Sequence, residues 1–283
     1  MAQFTNQARL AYNNSVTNSN IAIGEILEVL SATKTAVRSV YAQNDTVTYI
    51  ISIVNAGATG YSGLSVSDNL GAYEFGTETL TPLTYLDGTV RYYVNGILQT
   101  PPAAVAGPPL VISGISVPAG GNVILVYEAE VNAFASPTLG AALTNEAVIS
   151  GGGITPITVT ETIEAVSEPL LTITKSVSPV PVTENGRLTY TFVIQNAGNA
   201  AADASSAAVI TDVFDPILTD LTVSFNGTPW TEGADYAYDE LSGLFTSVAG
   251  RVNVPAATFT QDITTGVWVT NPGVSTLVIS GTV

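Results

Sequence analysis

Residues 47–57, VTYIISIVNAG, have the same sequence pattern as residues 188–198, LTYTFVIQNAG, and this repeat decides the fold. Each copy is rich in β-branched and aromatic residues, and each ends in Asn-Ala-Gly, which is typical of a strand followed by a turn. The offset between the two copies is 141 residues. Self-similarity at a fixed offset predicts two copies of one structural unit, here a β-domain.

The repeat extends on both sides of this strand. Upstream, residues 31–34 (SATK) return as residues 172–175 (TITK) at the same offset. Downstream the offset drifts: the sequence LSVSD ending at Asp68 matches AVITD ending at Asp212, and Pro118–Val131 matches Pro272–Val283. We therefore expect a connector over residues 1–24, a first sandwich over residues 25–167 and a second over residues 168–283.

Strand patterns dominate the rest of the chain, and no segment has a convincing long helical pattern. The clearest predicted strands are Thr46–Val54, Val123–Val131, Leu188–Ile194 and Thr276–Ile279. Residues 21–30 have some helical spacing but run without a stop signal into a β-like segment, so we interpret them as extended. Pro and Gly interrupt every apolar stretch before about 18 residues, so no membrane-spanning helix is expected.

The two copies differ at their ends. The first continues into a closing strand at Leu143–Ile149, whereas the second ends at Val283 without one. The missing piece has a counterpart at the start of the chain, because Phe4–Leu10 (FTNQARL) resembles Leu143–Ile149 (LTNEAVI). We therefore predict that this N-terminal strand, with Phe4, Ala8 and Leu10 on its inner face, completes the second sandwich of a neighbouring subunit.

Composition excludes several classes of function. The chain has no Cys and no His, which removes thiol and His-based catalysis, zinc ligation by these residues and disulfide bonds. Seven basic residues against 23 acidic ones would repel a phosphate backbone, so nucleic acid is not an expected partner. Charged residues make up only 11% of the chain, which suits a packed, assembled surface.

Four motifs together resemble the conserved-repeat β-sandwich of Gram-positive surface proteins, a family known as a domain of unknown function. They are Thr33-Lys34, Asn55-x-Gly57, Val66-x-Asp68 and Thr144-Asn145-x-Ala147. Similar repeats occur in clostridial spore-appendage proteins. The resemblance implies immunoglobulin-like sandwiches and, as in some related pilin and adhesin domains, a spontaneous Lys-Asn isopeptide bond assisted by an acid. No Leu-Pro-x-Thr-Gly sorting motif is present, so the resemblance does not extend to sortase anchoring.

Six polar residues fall on the apolar faces of their predicted strands, where side chains alternate between faces. They are Lys34, Asp68, Asn145, Lys175, Asp212 and Asn6. Lys175, for example, shares its face with Leu171 and Ile173. The only two lysines of the chain, Lys34 and Lys175, occupy the same position of the repeat. We predict that all six side chains are buried.

Burial gives these residues a specific chemistry. It lowers the pKa of a lysine and raises that of an aspartic acid, so a neutral amine can face a protonated carboxyl. The amine can then attack an Asn side-chain carbonyl and release ammonia. We predict an intramolecular bond from Lys34 to Asn145 assisted by Asp68, and an intermolecular bond from Lys175 to Asn6 assisted by Asp212. The alternative is a hydrogen-bonded cluster of the same groups without a covalent bond.

Other candidates are weaker. Asp235–Glu240 lacks the spacing of a calcium loop and is better interpreted as a solvated hairpin. Trp230 and Trp268 suggest a sugar-stacking platform, although aromatic residues in strands usually lie in cores. The sequons at Asn13 and Asn226 are too short to indicate glycosylation by themselves. No metal and no cofactor are therefore predicted.

The sequence favours a structural protein over an enzyme, because no base, nucleophile and orienting group can be assembled from it. We predict a homopolymer, joined head to tail, at the surface of a cell or a spore, with no membrane insertion. No secretory signal pattern opens the sequence, which leaves the route of export open. The alternative is an adhesin, in which the sandwiches form a stalk and a loop such as Leu98–Leu110 contacts a ligand.

Overall fold

The computed structural model of the chain describes residues 2–13, 15–26 and 28–283. The fold is nearly all β, with one short 3₁₀ turn at Ala204–Ser206, and it contains two tandem immunoglobulin-like sandwiches, as the repeat predicts. Within these residues, no helix is long and apolar enough to cross a membrane.

The chain opens with four short strands. These are β1 (Ala2–Asn6), β2 (Arg9–Tyr12), β3 (Ser15–Asn18) and β4 (Ala22–Ile26). β1 pairs with β4 and β2 with β3, and the Ser19 amide donates to the Ala8 carbonyl between the two ribbons at 2.9 Å. The four strands therefore form one long antiparallel hairpin, which we call the N-terminal hairpin. The single strand expected at Phe4–Leu10 is interrupted at Gln7 and Ala8.

Fourteen strands follow in the first repeat. They are β5 (Leu30–Ala36), β6 (Val40–Tyr41), β7 (Thr46–Asn55), β8 (Tyr61–Asp68), β9 (Tyr73–Phe75), β10 (Glu78–Leu80), β11 (Leu83–Tyr85), β12 (Arg91–Val94), β13 (Ile97–Gln99), β14 (Ala103–Val105), β15 (Leu110–Val117), β16 (Asn122–Val131), β17 (Ala142–Gly151) and β18 (Ile157–Ala165). One sheet has the order β13-β12-β16-β7-β5, with β11 also on β16, and the other β14-β15-β8-β17-β18-β6. Alternate residues of β7 and β16, such as Ile51 and Leu125, are buried in the core.

The second repeat contains ten strands. They are β19 (Leu171–Ser178), β20 (Arg187–Asn196), β21 (Thr211–Val213), β22 (Thr219–Phe225), β23 (Thr228–Trp230), β24 (Tyr236–Asp239), β25 (Leu244–Ser247), β26 (Thr258–Gln261), β27 (Trp268–Asn271) and β28 (Gly273–Thr282). Its larger sheet has the order β19-β20-β28-β22-β23, its smaller sheet the order β21-β25-β24, and β26 pairs with β27. Its core is built on aromatic residues such as Phe192, Phe214 and Phe245.

The larger sheets of the two repeats have the same strand order. β19, β20, β28, β22 and β23 correspond to β5, β7, β16, β12 and β13. The smaller sheets differ. β8 lies between β15 and β17, whereas β21, which carries the equivalent aspartate, pairs on one side with β25 and has no second neighbour among the described residues.

The packing divides the chain into two compact units that are not continuous in sequence. The first comprises the described residues up to Ser39 together with Asp45–Val131 and Thr144–Ile163. The second comprises Val40–Asn44, Asn132–Leu143 and Glu164–Val283. The sandwich boundaries inferred from the repeat, at residues 24 and 167, stay a prediction.

Candidate functional site

The first candidate site lies in the core of the first unit, between its two sheets. Lys34 projects inward from β5, opposite Ile51 of β7, and Asp68 is the last residue of β8. The Lys34 Nζ donates to Asp68 Oδ2 at 2.6 Å, and both side chains are fully buried. The sequence prediction that these two residues are buried is thus met in the structure.

Asp68 is held by donors on both of its oxygens. The Tyr127 hydroxyl donates to Oδ2, the atom that also accepts from Lys34, and the Leu70 amide donates to Oδ1 at 2.9 Å. Buried charges are costly unless they are paired and hydrogen-bonded. Tyr127 in the middle of β16 and the turn after β8 therefore fix the carboxyl in place beside the amine.

Burial is the main influence on the Lys34 amine. It lowers the pKa of Lys34 from 10.5 to about 8, against the opposing effects of Asp68 and of the more distant Glu161 and Glu146. At the mildly alkaline end of the physiological range a large share of this amine is neutral, and only the neutral amine is a nucleophile.

Asn145 completes the group from β17, the neighbour of β8. The register pairs Ala147 with Asp68, which places Asn145 near the end of β8, where the Asn69 amide donates to the Glu146 carbonyl at 2.9 Å. Asn145 is completely buried, yet its side-chain nitrogen and oxygen have no hydrogen-bond partner among the described residues. A buried amide without partners is rare in folded proteins and calls for a chemical explanation.

Two tyrosines line the same site, and the sequence analysis did not identify them. Tyr49 and Tyr127 pair directly across β7 and β16, and their rings stack 5.6 Å apart. Burial raises the pKa of both tyrosine hydroxyls, and the negative charge of Asp68 raises it further. The nearby Asn145 amide opposes that rise, although neither hydroxyl is in hydrogen-bond geometry with the Asn145 side chain. Their positions follow from the pairing of two strands distant in sequence, which the alternation within one strand does not reveal.

The second candidate site repeats the lysine and the aspartate in an open form. Lys175 projects from β19 and forms an ion pair with Asp212 of β21. The Lys175 Nζ also lies 4.4 Å from the centre of the Tyr190 ring, as the Lys34 Nζ lies 5.0 Å from that of Tyr49. The side chain of Lys175 is nevertheless 38% exposed and that of Asp212 is 19% exposed.

The prediction of burial was therefore wrong for Lys175, and only partly met for Asp212. The reason is structural: β17 covers Asp68 in the first unit, and no described strand covers Asp212 in the second. Ile279 also stands opposite Tyr190 where Tyr127 stands opposite Tyr49, so the second site has no equivalent of the Tyr127 hydroxyl.

Asn6, the predicted partner of Lys175, lies on β1 of the N-terminal hairpin and pairs with Ala22. It is exposed in the single chain, and so are the donor-strand residues Phe4, Ala8 and Leu10; their burial in a neighbouring subunit stays a prediction. Within this chain, the hairpin presents its inner face to solvent because no described sheet continues beside it.

The weaker candidates have structural roles in the second unit. Asp235 accepts from the Arg251 guanidinium and from the Thr231 amide. Trp230 stacks on Phe225 with ring centres 5.0 Å apart. The Asn226 side chain forms two hydrogen bonds, to Ser275 and to the Thr276 amide. The described residues contain no group of three acidic side chains arranged to hold a metal ion.

The pH dependence of bond formation provides a direct test of the first site. If neutral Lys34 attacks Asn145 while Asp68 carries the proton, the reacting pair holds as many protons as the Lys34–Asp68 ion pair. The rate should therefore be level below about pH 8 and fall above it, where the pair loses that proton. A chain isolated unfolded and unreacted, then refolded at pH 9, should lose ammonia about 10-fold more slowly than one refolded at pH 7. Intact mass against time measures this rate, and tyrosine fluorescence shows that folding itself is complete. A rate that rises steadily from pH 7 to pH 9 would contradict the proton transfer by Asp68.

The fold and the two lysine–aspartate pairs define the chain as a tandem immunoglobulin-like sandwich protein, in which the pair is buried in the first unit and partly exposed in the second. No protein-family model matches it, and no curated protein matches it, so the resemblance to the conserved-repeat family stays a prediction.

Solved structures with a similar fold include pilus proteins and part of a surface protein. BcpA, the major pilin subunit of Bacillus cereus, is 10% identical, with 95% of this chain and 73% of BcpA covered at a TM-score of 0.37. The pilus backbone protein RrgB of Streptococcus pneumoniae is 12% identical, with 86% and 55% covered at a TM-score of 0.35. The collagen-binding subdomain of the Enterococcus faecalis surface protein ACE is 9% identical, with 50% and 99% covered at 0.32. The chain thus spans about half the length of RrgB, and at these values the likeness assigns no function to it.

Proposed function

We propose that this chain is a structural subunit of a fibre on the surface of a cell or a spore. The N-terminal hairpin of one copy completes the second unit of the next copy, and Lys-Asn isopeptide bonds form within and between copies. The observation that carries the proposal is a match between two unpaired surfaces, the inner face of the hairpin and the open edge of β21.

The first unit provides the template for this match. Its strands β17 and β18 form a hairpin, and β17 lies directly against β8. The Thr144 and Thr162 hydroxyls of this hairpin face each other at 2.8 Å. Subtracting 139 from both numbers gives Thr5 and Ile23, which are paired in the N-terminal hairpin. The β1–β4 half of the N-terminal hairpin therefore matches this cross-strand contact, whereas β2 and β3 pair one residue out of that register.

The exposed apolar residues fit the same template. Leu143 and Ile149 are buried on the inner face of β17, and their counterparts Phe4 and Leu10 are 54% and 61% exposed. Exposed large apolar side chains are typical of an interaction surface, and the other face of the hairpin also carries two of them, Val16 and Ile23. An unpaired strand edge such as that of β21 is likewise a template for pairing with another chain.

The register of the first unit also predicts which residues meet. Ala147 stands opposite Asp68, so Ala8 of the donor should stand opposite Asp212. Asn6 then occupies the position of Asn145, close to Lys175 and Asp212. Docking would bury Lys175, and burial favours its neutral form.

The bond-forming step balances without an oxidant, a metal or a cofactor. The lysine Nζ forms a bond to the Asn side-chain Cγ, the bond from Cγ to the amide nitrogen breaks, and that nitrogen leaves as ammonia. The aspartic acid donates a proton toward the amide oxygen as charge develops there. Its carboxylate then takes up the proton that the amine loses and passes a proton to the amide nitrogen, which leaves as ammonia. The products are one isopeptide bond and one molecule of ammonia.

This mode of contact favours a polymer. A surface that is not paired with itself but with a different surface of the next copy produces a ring or an open filament. Intramolecular closure of the hairpin onto the second unit is the competing arrangement, and dilution distinguishes the two, because a closed monomer shows no dependence on concentration.

A single carboxylate should block assembly. Ala8→Asp places a negative charge opposite Asp212 in the proposed register, so we expect fibres to be lost and monomers to remain. Ala11→Asp, on the other face of the hairpin, is the matched control and should leave fibres intact. Electron microscopy and sedimentation measure both outcomes.

Deletion of the first 20 residues should have the same effect as Ala8→Asp. Fibres that form unchanged from the deleted chain would show that something other than the hairpin joins the subunits. Monomers of the unaltered chain that are stabilised by a ligand would instead favour an adhesin.

A further inference from the structure

A cavity of about 170 Å³ opens beside the exposed strand β19. It is lined mainly by apolar residues, which include Leu171, Ile173, Ile194, Ala208, Ile210 and Val252. Leu171 and Ile173 are exposed, although they lie on the face of β19 that carries Lys175. The cavity therefore continues the surface on which the donor hairpin is proposed to dock.

The register of the first unit indicates which donor residue enters this cavity. There, Ile149 of β17 stands opposite Val66 of β8 and is completely buried. The counterpart of Ile149 in the N-terminal hairpin is Leu10, and the counterpart of Val66 is Ile210, which lines the cavity. Leu10 thus provides an apolar side chain for an apolar cavity.

Two residues further along the same face, a position with a large side chain in one unit has a small side chain in the other. In the first unit Gly151 stands opposite Leu64. A Cβ atom on Gly151 would lie 2.5 Å from the Gly63 carbonyl oxygen, and one on Gly152 would lie 2.8 Å from Leu64 Cδ2. Side chains are therefore excluded at this end of the groove in the first unit.

The counterparts of Gly151 and Leu64 have the opposite sizes, with the large side chain on the hairpin and the small one on the acceptor. Tyr12 takes the place of Gly151 in the N-terminal hairpin, and Ala208 takes the place of Leu64 in the second unit. Tyr12 lies on β2, on the same face as Leu10, and it is exposed in this chain. Ala208, whose side chain is a single methyl group, lines the cavity.

We propose that this exchange of sizes decides which groove the hairpin enters: Leu10 and Tyr12 of one copy fill the cavity over Ala208 of a second copy, whereas the Gly63 carbonyl and the Leu64 side chain exclude this end of the hairpin from the first unit. This inference rests on the proposed donation of the hairpin. It adds the residues that direct the hairpin to the second unit of another copy and not to the first unit.

The difference in side-chain size prevents the N-terminal hairpin from entering the wrong groove, which its similarity to the β17–β18 hairpin would otherwise allow. A donor that fitted both grooves could displace β17 and β18 from the first unit and leave Asn145 without Lys34. Specificity between similar sites requires a feature that penalises the wrong pairing as well as one that favours the right one. The Gly63 carbonyl and the Leu64 side chain supply the penalty in the first unit, and the small Ala208 side chain allows the fit in the second.

The test uses the full chain as acceptor and a peptide as donor. The acceptor carries Ala8→Asp, so that its own hairpin does not compete. The donor is a fluorescent peptide of residues 1–28 with Asn6→Ala, which prevents a covalent bond and allows an equilibrium measurement by anisotropy. Two acceptors, with and without Ala208→Leu, are titrated against two peptides, with and without Tyr12→Gly.

Ala208→Leu should weaken binding of the Tyr12 peptide about 30-fold, because the added side chain occupies the space that Tyr12 needs. The Tyr12→Gly peptide should reverse this preference and bind the Ala208→Leu acceptor about 10-fold more tightly than the Tyr12 peptide does. Leucine is the residue that the first unit carries at this position, so the variant is compatible with the fold. The crossed comparison cancels any effect of the peptide substitution on the hairpin alone.

Two negative outcomes have different meanings. If the Tyr12 peptide binds both acceptors equally, the size exchange does not determine specificity, and the donation of the hairpin stands without it. If the peptide binds neither acceptor, the proposed donation falls and this inference falls with it.

Discussion

Replacing Asn145 with alanine should lower the melting temperature of the chain by about 10 to 20 °C. A bond from Lys34 on β5 to Asn145 on β17 closes a loop of more than 100 residues. Loop-closure arguments developed for disulfides give such a link about 4 to 5 kcal/mol of stabilisation, through its restriction of the unfolded chain. For a protein of this size each kcal/mol corresponds to about 2 to 4 °C.

Mass spectrometry connects this loss of stability to the bond itself. The intact mass of the unaltered chain should be lower than the sequence mass by one ammonia for each bond, and digestion should yield a Lys34–Asn145 peptide. The Asn145→Ala chain should lack that peptide. Glu146→Ala, which alters the next residue of β17 and leaves the Lys34, Asp68 and Asn145 side chains in place, is the control and should keep the bond. A chain of unmodified mass would mean that Lys34, Asp68 and Asn145 form a hydrogen-bonded cluster only.

The sequence predicted the residues of the first site because the pattern within each single strand is enough to identify them. Alternation within β5, β8 and β17 assigns Lys34, Asp68 and Asn145 to apolar faces, and the repeat shows that both lysines occupy one position. The structure adds the 2.6 Å contact between Lys34 and Asp68. Tyr127 could not be found in this way, because its contact with Asp68 depends on which strands pair across the sandwich.

The same local reasoning failed for the second site. Alternation predicts which face a side chain takes, but burial also needs a neighbouring strand to cover that face. Lys175 has the predicted face and lacks the cover, since β21 has a described neighbour on one side only. The size exchange at Ala208 was likewise hidden, because it becomes visible only when the register of β8 and β17 is known.

The intermolecular bond makes the largest expected difference to the assembled protein. If Lys175 of one copy is joined to Asn6 of the next, fibres boiled in detergent should give a ladder of multimers on a gel. Hydrogen bonds and apolar packing between strands do not survive that treatment, and a covalent bond does. The ladder therefore reports the reaction separately from assembly.

Substitutions at either end of the bond should collapse this ladder to monomer. Lys175→Arg keeps the positive charge beside Asp212 and removes the nucleophilic amine, and Asn6→Ala removes the reacting amide. Both variants should still form fibres that electron microscopy detects, because docking depends on the apolar face of the hairpin. Asp212→Ala should give the same collapse by removing the group that moves the proton.

The first site supplies the matched control. Asn145→Ala makes the same chemical change as Asn6→Ala, but at the site within one copy. It should therefore leave the ladder of multimers intact and lower only the stability of each subunit. Fibres of the unaltered chain that dissolve to clean monomer in hot detergent would show that the donated hairpin is held by hydrogen bonds and packing alone. The exposed Lys175 would then be a partner for Asp212 and not a nucleophile, and the difference in burial between the two lysines would mark the difference between a site that reacts and a site that only binds.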